Sequence, residues 1–279
     1  MERKRRKLFS EYGPAFFWIA RQKETLRRSL KDATSGERFA HSIMATKLPV
    51  VVKSHSSLML RELPGVDMQL QRNKVTNLRL ASAKIDGLIV SPGEVFSLWH
   101  LVGPTTASKG YLPGMTLEGD NIKAETGGGL CQLSNLIHWM VLHSPLAVTE
   151  LHHHSDALFP DVGRRVPFGT GTSIFYNYLD YRFLNTTTSR VQLCIWLDDA
   201  NIYGELRSEA EFPLEYRIDE EEHCFTLEDG VYFRNSLVYQ HGLSRSSGEV
   251  VSRKLVLQNH SRVYFDPALI PPELVRVTV

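Results

Sequence analysis

The chain has little cysteine, no surplus of either charge and no long apolar run, and each shortage excludes something. Cys131, Cys194 and Cys224 are the 3 cysteines of 279 residues. They are odd in number and widely spaced, so no disulfide framework organises the fold, and a reducing compartment fits best. The 32 Lys and Arg against 31 Asp and Glu leave a formal charge of +1, so no overall field draws the protein to nucleic acid. No stretch reaches the ~20 apolar residues that a membrane-spanning helix needs. No internal repeat or low-complexity segment is visible, and the length suits one large or two smaller globular units with a real core.

The N-terminus imitates an export signal without completing one. Residues 1–7 are basic and Ala15-Phe16-Phe17-Trp18-Ile19-Ala20 is apolar. The apolar stretch is short, follows Gly13-Pro14, and ends at Arg21 with no small-residue cleavage pattern. It reads as the solvated, basic start of an amphipathic helix in a cytoplasmic protein. The alternative is a weak contact with a membrane surface through Phe16, Phe17 and Trp18 beside the basic cluster.

Periodicity predicts an α+β fold, with mixed helices and antiparallel strands around a glycine run and a cysteine-bearing helix start. Residues 15–45 read mainly as helix, 48–52 as a short strand, and 73–90 as helix up to the turn Ser91-Pro92-Gly93. Residues 94–126 are rich in loop punctuation. A helix of about four turns runs from Leu130 to His143, with Leu133, Leu136, Ile137, Met140 and Val141 inward, and Ser144-Pro145 stops it. Residues 173–197 read as a β-hairpin turning at 185–189, with further strands at 231–239 and 250–257. Soft boundaries near 70 and 205 divide a helical N-terminal region (1–70), a core domain (71–205) and a β-rich C-terminal region (206–279).

The most informative segment is Gly127-Gly128-Gly129-Leu130-Cys131-Gln132-Leu133-Ser134. Consecutive glycines permit positive φ and close approach of a ligand to the backbone. A helix start offers N–H groups without intrahelical partners and a partial positive charge. A thiol there favours its thiolate, and the same N–H groups can hold the oxyanion of acyl transfer. The competing reading is a tight turn before a helix with Cys131 as a small buried hydrophobe. No Lys-Ser or Lys-Thr follows, so the run is not a P-loop. Cys194 and Cys224 sit in strand-like apolar stretches and read as structural.

A thiolate nucleophile needs an imidazole. His152-His153-His154 lie just past the cysteine helix, and alternation along an extended segment puts His152 and His154 on one side and His153 on the other. His138, at i+7 from Cys131, is a lesser candidate. Glu150 or Asp156 could orient the ring, and nothing local chooses between them. The same histidines with Cys131 suggest a metal site, but the spacing matches no familiar zinc pattern, so no metal and no cofactor is expected.

Several of these segments together resemble a known family. Asn73-Lys74-Val75, the stretch Ser91-Pro92-Gly93-Glu94-Val95-Phe96-Ser97 and Leu101-Val102-Gly103 are similar to the opening of the VanW family. Gly127 through Asn135 resembles its central motif. Leu142 to Leu146, His152 to Ser155, Phe159-Pro160-Asp161, Phe168 to Gly171 and Phe175 to Asp180 extend the likeness over roughly 70–205. The resemblance implies a link to glycopeptide (vancomycin) resistance and to peptidoglycan, including L,D-transpeptidase-like crosslinking through the central cysteine. Carried over, it makes Cys131 the nucleophile, with His154 and then His152 moving the proton. Gly127, Gly128, Gly129, Gln132 and Ser134 would bind substrate, and Glu94 and Tyr111 enter the pocket because their segments match. Two departures, the missing export signal and His153 where the family has arginine, turn the expected substrate from mature peptidoglycan to a cell-wall precursor or another peptide or amide. A non-catalytic module that captures a precursor or peptide carboxylate at the helix start is the alternative.

Overall fold

Gly13 followed by a proline in the first turn fixes where the first helix begins, because proline lacks an N–H that this position does not need. The computed structural model describes residues 12–60, 67–118, 121–153, 156–157, 160 and 166–276. The chain opens with α1 (Pro14–Thr34), β1 (Arg38–Phe39), β2 (Ser42–Ile43), β3 (Val50–Leu58) and α2 (Met68–Ser82). Then come β4 (Leu88–Val90), β5 (Glu94–Ser97), α3 (Leu98–Val102), β6 (Pro113–Glu118), β7 (Asn121–Thr126) and α4 (Cys131–Leu142). Next are β8 (Ala147–Glu150), β9 (Asp156–Ala157), β10 (Arg182–Leu184), β11 (Val191–Leu197) and β12 (Asn201–Ser208). The last strands are β13 (Leu214–Glu228), β14 (Val231–Ser244), β15 (Val250–Val263) and β16 (Val275–Arg276). The α+β class is therefore observed.

The central sheet has the order β2-β4-β11-β12-β3. Helix α4 lies on β12 and β3, and α2 on β11. The five α4 positions expected to face inward (Leu133, Leu136, Ile137, Met140 and Val141) are all buried, against Val191, Leu193, Ile195, Ile202 and Leu206 of the sheet. Full burial of each such side chain contributes about 1.5–3 kcal/mol. Gly204 of β12 lets the helix come close, since a Cβ there would lie 2.6 Å from Met140 Cε.

A second sheet, β1-β5-β10-β8, joins the first at a corner where β4 runs into β5 and β10 into β11. Buried Asn185 fastens the corner: its amide donates to the Val90 and Ser189 carbonyls and accepts from the Thr187 N–H. The long strands β13, β14 and β15 form a third sheet, flanked by β16 and β9. Its Gln240 amide donates to the Leu142 and Ser144 carbonyls, tying this sheet to the C-terminal end of α4.

Three local expectations give way. Residues 173–197 do not form a hairpin: β10 pairs with β5 and β8, whereas β11 pairs with β4 and β12. The alternating Ile174, Tyr176 and Tyr178 lie in a tight turn closed by a Phe175–Leu179 bridge, where alternation reflects packing rather than a strand. The expected 73–90 helix ends at Ser82, because Leu88-Ile89-Val90 is a fully buried strand whose apolar run cannot be told from a helix by period alone. The loop-rich 94–126 region holds β5, α3 and the β6–β7 hairpin. Among the described residues no helix is long and apolar enough to cross a membrane.

Candidate functional site

The glycine run is a turn wedged between its own neighbours. Gly127 and Gly129 have φ of 82° and 91°, a region that favours glycine. A Cβ on Gly127 would strike the Thr105 side chain, one on Gly128 the Gly114 carbonyl, and one on Gly129 the aliphatic stem of Lys74. Buried Asn77 of α2 clamps the arrangement, donating to the Leu112 and Gly128 carbonyls and accepting from the Leu112 N–H. The N–H groups of Gly127 and Gly128 bond to Leu112 and Glu125, and those of Gln132, Leu133 and Ser134 bond back into the turn. Among the described residues no hydrogen bond engages the N–H groups of Gly129 and Leu130, and no side chain caps α4. Two donors thus remain at the positive end of a 12-residue helix.

Cys131 opens that helix, partly buried against the main core. Burial pushes its thiol above the ordinary value, against hydrogen bonds from the Ile174 N–H and its own N–H, which act the other way. The donors expected of a helix start are present, but desolvation outweighs them, so in this conformation the sulfur is a thiol rather than the expected thiolate. Cys194 and Cys224 are free and buried in strands, as expected.

Residues 172 and 173 stitch the cysteine's helix to the histidine segment. The Thr172 N–H donates to Asn135 Oδ1 on α4, one turn along from Cys131, and the Ser173 N–H donates to the His152 carbonyl at 2.6 Å. His152 is part-buried, with Nε2 2.9 Å from Glu150 Oε1. Burial alone would raise the Glu150 carboxyl, but hydrogen bonds from Arg28, His152 and the Asp180 N–H hold it below the ordinary carboxylate range. An ionised Glu150 only accepts, so the contact requires a proton on Nε2 of His152, and it is in the neutral ring that Nδ1 then keeps its lone pair. His153 is exposed, and its Nδ1 donates to the Gly169 carbonyl at 3.1 Å. His154 lies outside the described residues, as do the side chain of Asp156 and residues 154–155 around it.

Behind Glu150 stands a charge network that local sequence patterns do not reveal. Arg28 of α1 makes a two-pronged contact with Glu150. Arg182, 4% exposed, bonds Asp180 at 2.8 Å and Asp32 of α1 at 2.7 Å. Asp180 accepts from Ser97 Oγ and the Trp99 N–H; even so, burial leaves its carboxyl raised. The partners lie up to 150 positions apart, so only the fold brings them together.

The remaining candidates have other engagements. The Gln132 amide donates to Ser57 Oγ and the Leu58 carbonyl at the end of β3. Ser134 is buried and bonds back to the Cys131 carbonyl. Glu94 accepts from the Ser91 N–H at the β4–β5 turn, and Tyr111 is 4% exposed within the core. His138 bonds Tyr181 Oη at 3.2 Å, and burial, with His153 nearby, lowers it to about 3. A cavity of about 260 Å³ lies by His143, at the opposite end of α4 from Cys131, lined also by Lys53, Glu215, Tyr216 and Arg245. Among the described residues no group of three or more His, Cys, Asp or Glu could hold a metal ion.

Comparison with known proteins agrees with the region this site occupies. Residues 73–207 match the family described as VanW like protein. The chain is 29% identical over 227 residues, 81% of its length, to the Vancomycin B-type resistance protein VanW of Enterococcus faecalis, covering 82% of that protein. It is 27% identical over 114 residues, 41% of its length, to the uncharacterized protein YoaR of Bacillus subtilis, covering 36% of it. No solved structure matches.

Proposed function

Taking as premise that residues 73–207 belong to the VanW-like family, a family associated with vancomycin resistance, we propose that this chain is a cysteine-dependent acyl transferase or hydrolase. It acts on peptide or amide bonds of cell-wall precursors and contributes to glycopeptide resistance from the cytoplasm, a placement that its three free thiols support. The observation that carries the reading is the stitching of the Cys131 helix to His152–Glu150 by Thr172 and Ser173.

In the proposed step, Cys131 Sγ attacks the substrate carbonyl carbon and its proton passes to an imidazole. His152 offers Nδ1 for this, with Nε2–H held by Glu150; His154 is the base to which the family resemblance points first. The carbonyl oxygen becomes an oxyanion facing the Gly129 and Leu130 N–H groups. Collapse breaks the C–N bond, the leaving amine takes the proton from the imidazolium, and a thioester remains on Cys131. Water completes hydrolysis; an acceptor amine completes transfer. Substrate binding has to lower the raised thiol pKa or bring the base to it.

That raised pKa favours the second reading, a non-catalytic module in which the two free N–H groups capture a precursor or peptide carboxylate beside a packed, neutral Cys131. Incubation with a panel of acyl-donor peptides, followed by intact mass measurement, separates the two. A thioester adduct on the wild type, absent in Cys131→Ala, supports the enzyme. Peptide binding retained in Cys131→Ala, with no adduct or turnover for any donor, supports the module.

A further inference from the structure

Helix α1 rests on the protein by its polar side and turns its apolar side outward. The body-facing ridge is Arg21, Arg28 and Asp32: Arg21 sits over the Phe175 ring, Arg28 holds Glu150, and Asp32 holds Arg182. No described side chain of α1 is fully buried. On the outer side Ile19, Leu26 and Leu30 are 49%, 62% and 60% exposed, and Phe16 extends the stripe at 41%, while Trp18, 61% exposed, stands to the side of it. Positions 19, 23, 26 and 30 share one face at helical period. An outward apolar stripe on a helix anchored through buried ion pairs is the reverse of an ordinary surface helix, and a contiguous patch of this kind marks an interaction surface.

The charges beside the stripe say what covers it. Lys23 lies within the stripe and Lys31 on its flank, both exposed and without an ion pair among the described residues. Among the described residues Arg27 meets only Glu24, at 3.8 Å. The sequence ahead of the helix adds Arg3, Lys4, Arg5, Arg6 and Lys7. A lysine in the middle of a protein–protein core would be buried without a partner, which proteins avoid. At a lipid surface the same lysine buries its stem and lifts its ammonium to the headgroups, and tryptophan favours that boundary. We infer that the outer face of α1 is a docking surface for an anionic bilayer, lying in the interface with Ile19, Leu26 and Leu30 toward the acyl chains and Lys23, Arg27 and Lys31 at the lipid phosphates. This surface is independent of the chemistry proposed for Cys131.

Co-sedimentation of the full chain with vesicles tests it, using phosphatidylcholine alone and phosphatidylcholine with a fraction of phosphatidylglycerol. The full chain partitions onto the anionic vesicles and releases with salt. Leu26→Gln combined with Leu30→Gln lowers partition by roughly tenfold or more, and Lys23→Gln and Lys31→Gln lower it by roughly fivefold each. These side chains are exposed, so the thermal midpoint of each variant stays at the wild-type value and folding is not in question. Equal binding to both vesicle types, or binding unchanged by the leucine variants, overturns the inference. A dimer in free solution that the leucine variants dissociate, with no vesicle binding, assigns the stripe to a second copy instead.

Discussion

Gly128→Ala tests the account of the turn most directly, because its consequence follows from one contact. Gly128 is not among the positive-φ glycines, so alanine meets no backbone objection there and the whole penalty is steric. The added Cβ would lie 2.2 Å from the Gly114 oxygen and 2.4 Å from its carbonyl carbon. Reaching ordinary contact at 3.4 Å requires the β6–β7 hairpin and the turn to part by 3.4 − 2.2 = 1.2 Å. That separation strains the Gly128 N–H bond to Glu125 and the Asn77 bonds that span both segments. Overpacking of this kind costs about 1–3 kcal/mol, and loosening a fully buried amide clamp about 1–3 more. The expected loss is about 3 kcal/mol, or a midpoint lower by roughly 5 °C for a chain of this size. Gly36→Ala is the control, since Gly36 has φ +71 with no atom within 4 Å of its would-be Cβ. It should lose only about 1 kcal/mol from backbone strain. Thermal and urea unfolding of both variants is the measurement. If Gly128→Ala is no worse than Gly36→Ala, the turn is not the packed wedge described above.

Burial holds His138 at about 3 and His143 at about 4, both below the 6.5 of the free side chain. Unfolding therefore takes up protons, and stability fully present above pH 6.5 is lost as pH falls toward those values. Each histidine should account for about 2 kcal/mol between pH 7.5 and 5, and His138→Gln should flatten the urea-midpoint profile by its share. In mass-resolved alkylation Cys131 should label ahead of Cys194 and Cys224, because it alone keeps some exposure, yet its rate should rise only on the alkaline side of an ordinary thiol. A profile that plateaus below pH 8 would contradict desolvation as the dominant influence. Arg28→Met leaves Glu150 without its two-pronged partner and should cost about 2–4 kcal/mol in urea unfolding; a neutral result would mean α1 is held by something else. If His152 is the base, Glu150→Gln should lower turnover by at least roughly tenfold, with the midpoint changed less than in Arg28→Met.

Sequence periodicity reveals the elements whose burial is one-sided. The inward set of α4 stands out because one helix face meets one sheet, and the long strands β14 and β15 follow their predicted cores at 231–239 and 250–257. It fails where both sides are buried or where a turn packs like a strand. Leu88-Ile89-Val90 lies between neighbours on both edges, and Ile174 to Tyr178 alternates without any ladder. The pairing of β3 with β12 joins residues about 150 apart, and no local pattern encodes it. For the site, the helix start and the Glu150–His152 proximity are within reach of sequence reasoning, since two residues along an extended segment share a side. Arg28, Asp32 and Arg182 are not, because a buried arginine looks like any other until its carboxylates arrive from distant elements. The direction of the thiol shift also escapes sequence, since N–H donors at a helix start are local while desolvation is a property of the packed whole.

Taken as letters, three consecutive glycines suggest room for a ligand beside a bare backbone. The structure gives that room to the protein itself: Thr105, Gly114 and Lys74 each occupy the space a side chain would have taken. The consequence for binding is the opposite of a loss. A turn packed on three sides and clamped by Asn77 cannot reorganise when an anion arrives, so the unengaged N–H groups of Gly129 and Leu130 are fixed before binding. Fixed donors stabilise a developing or resident negative charge better than mobile ones, because no energy goes into orienting them. Under the proposed function, the tight fit and the holding of a carboxylate or oxyanion are then one property of the turn. Substitutions that relieve the packing should weaken anion capture even where they leave Cys131 in place.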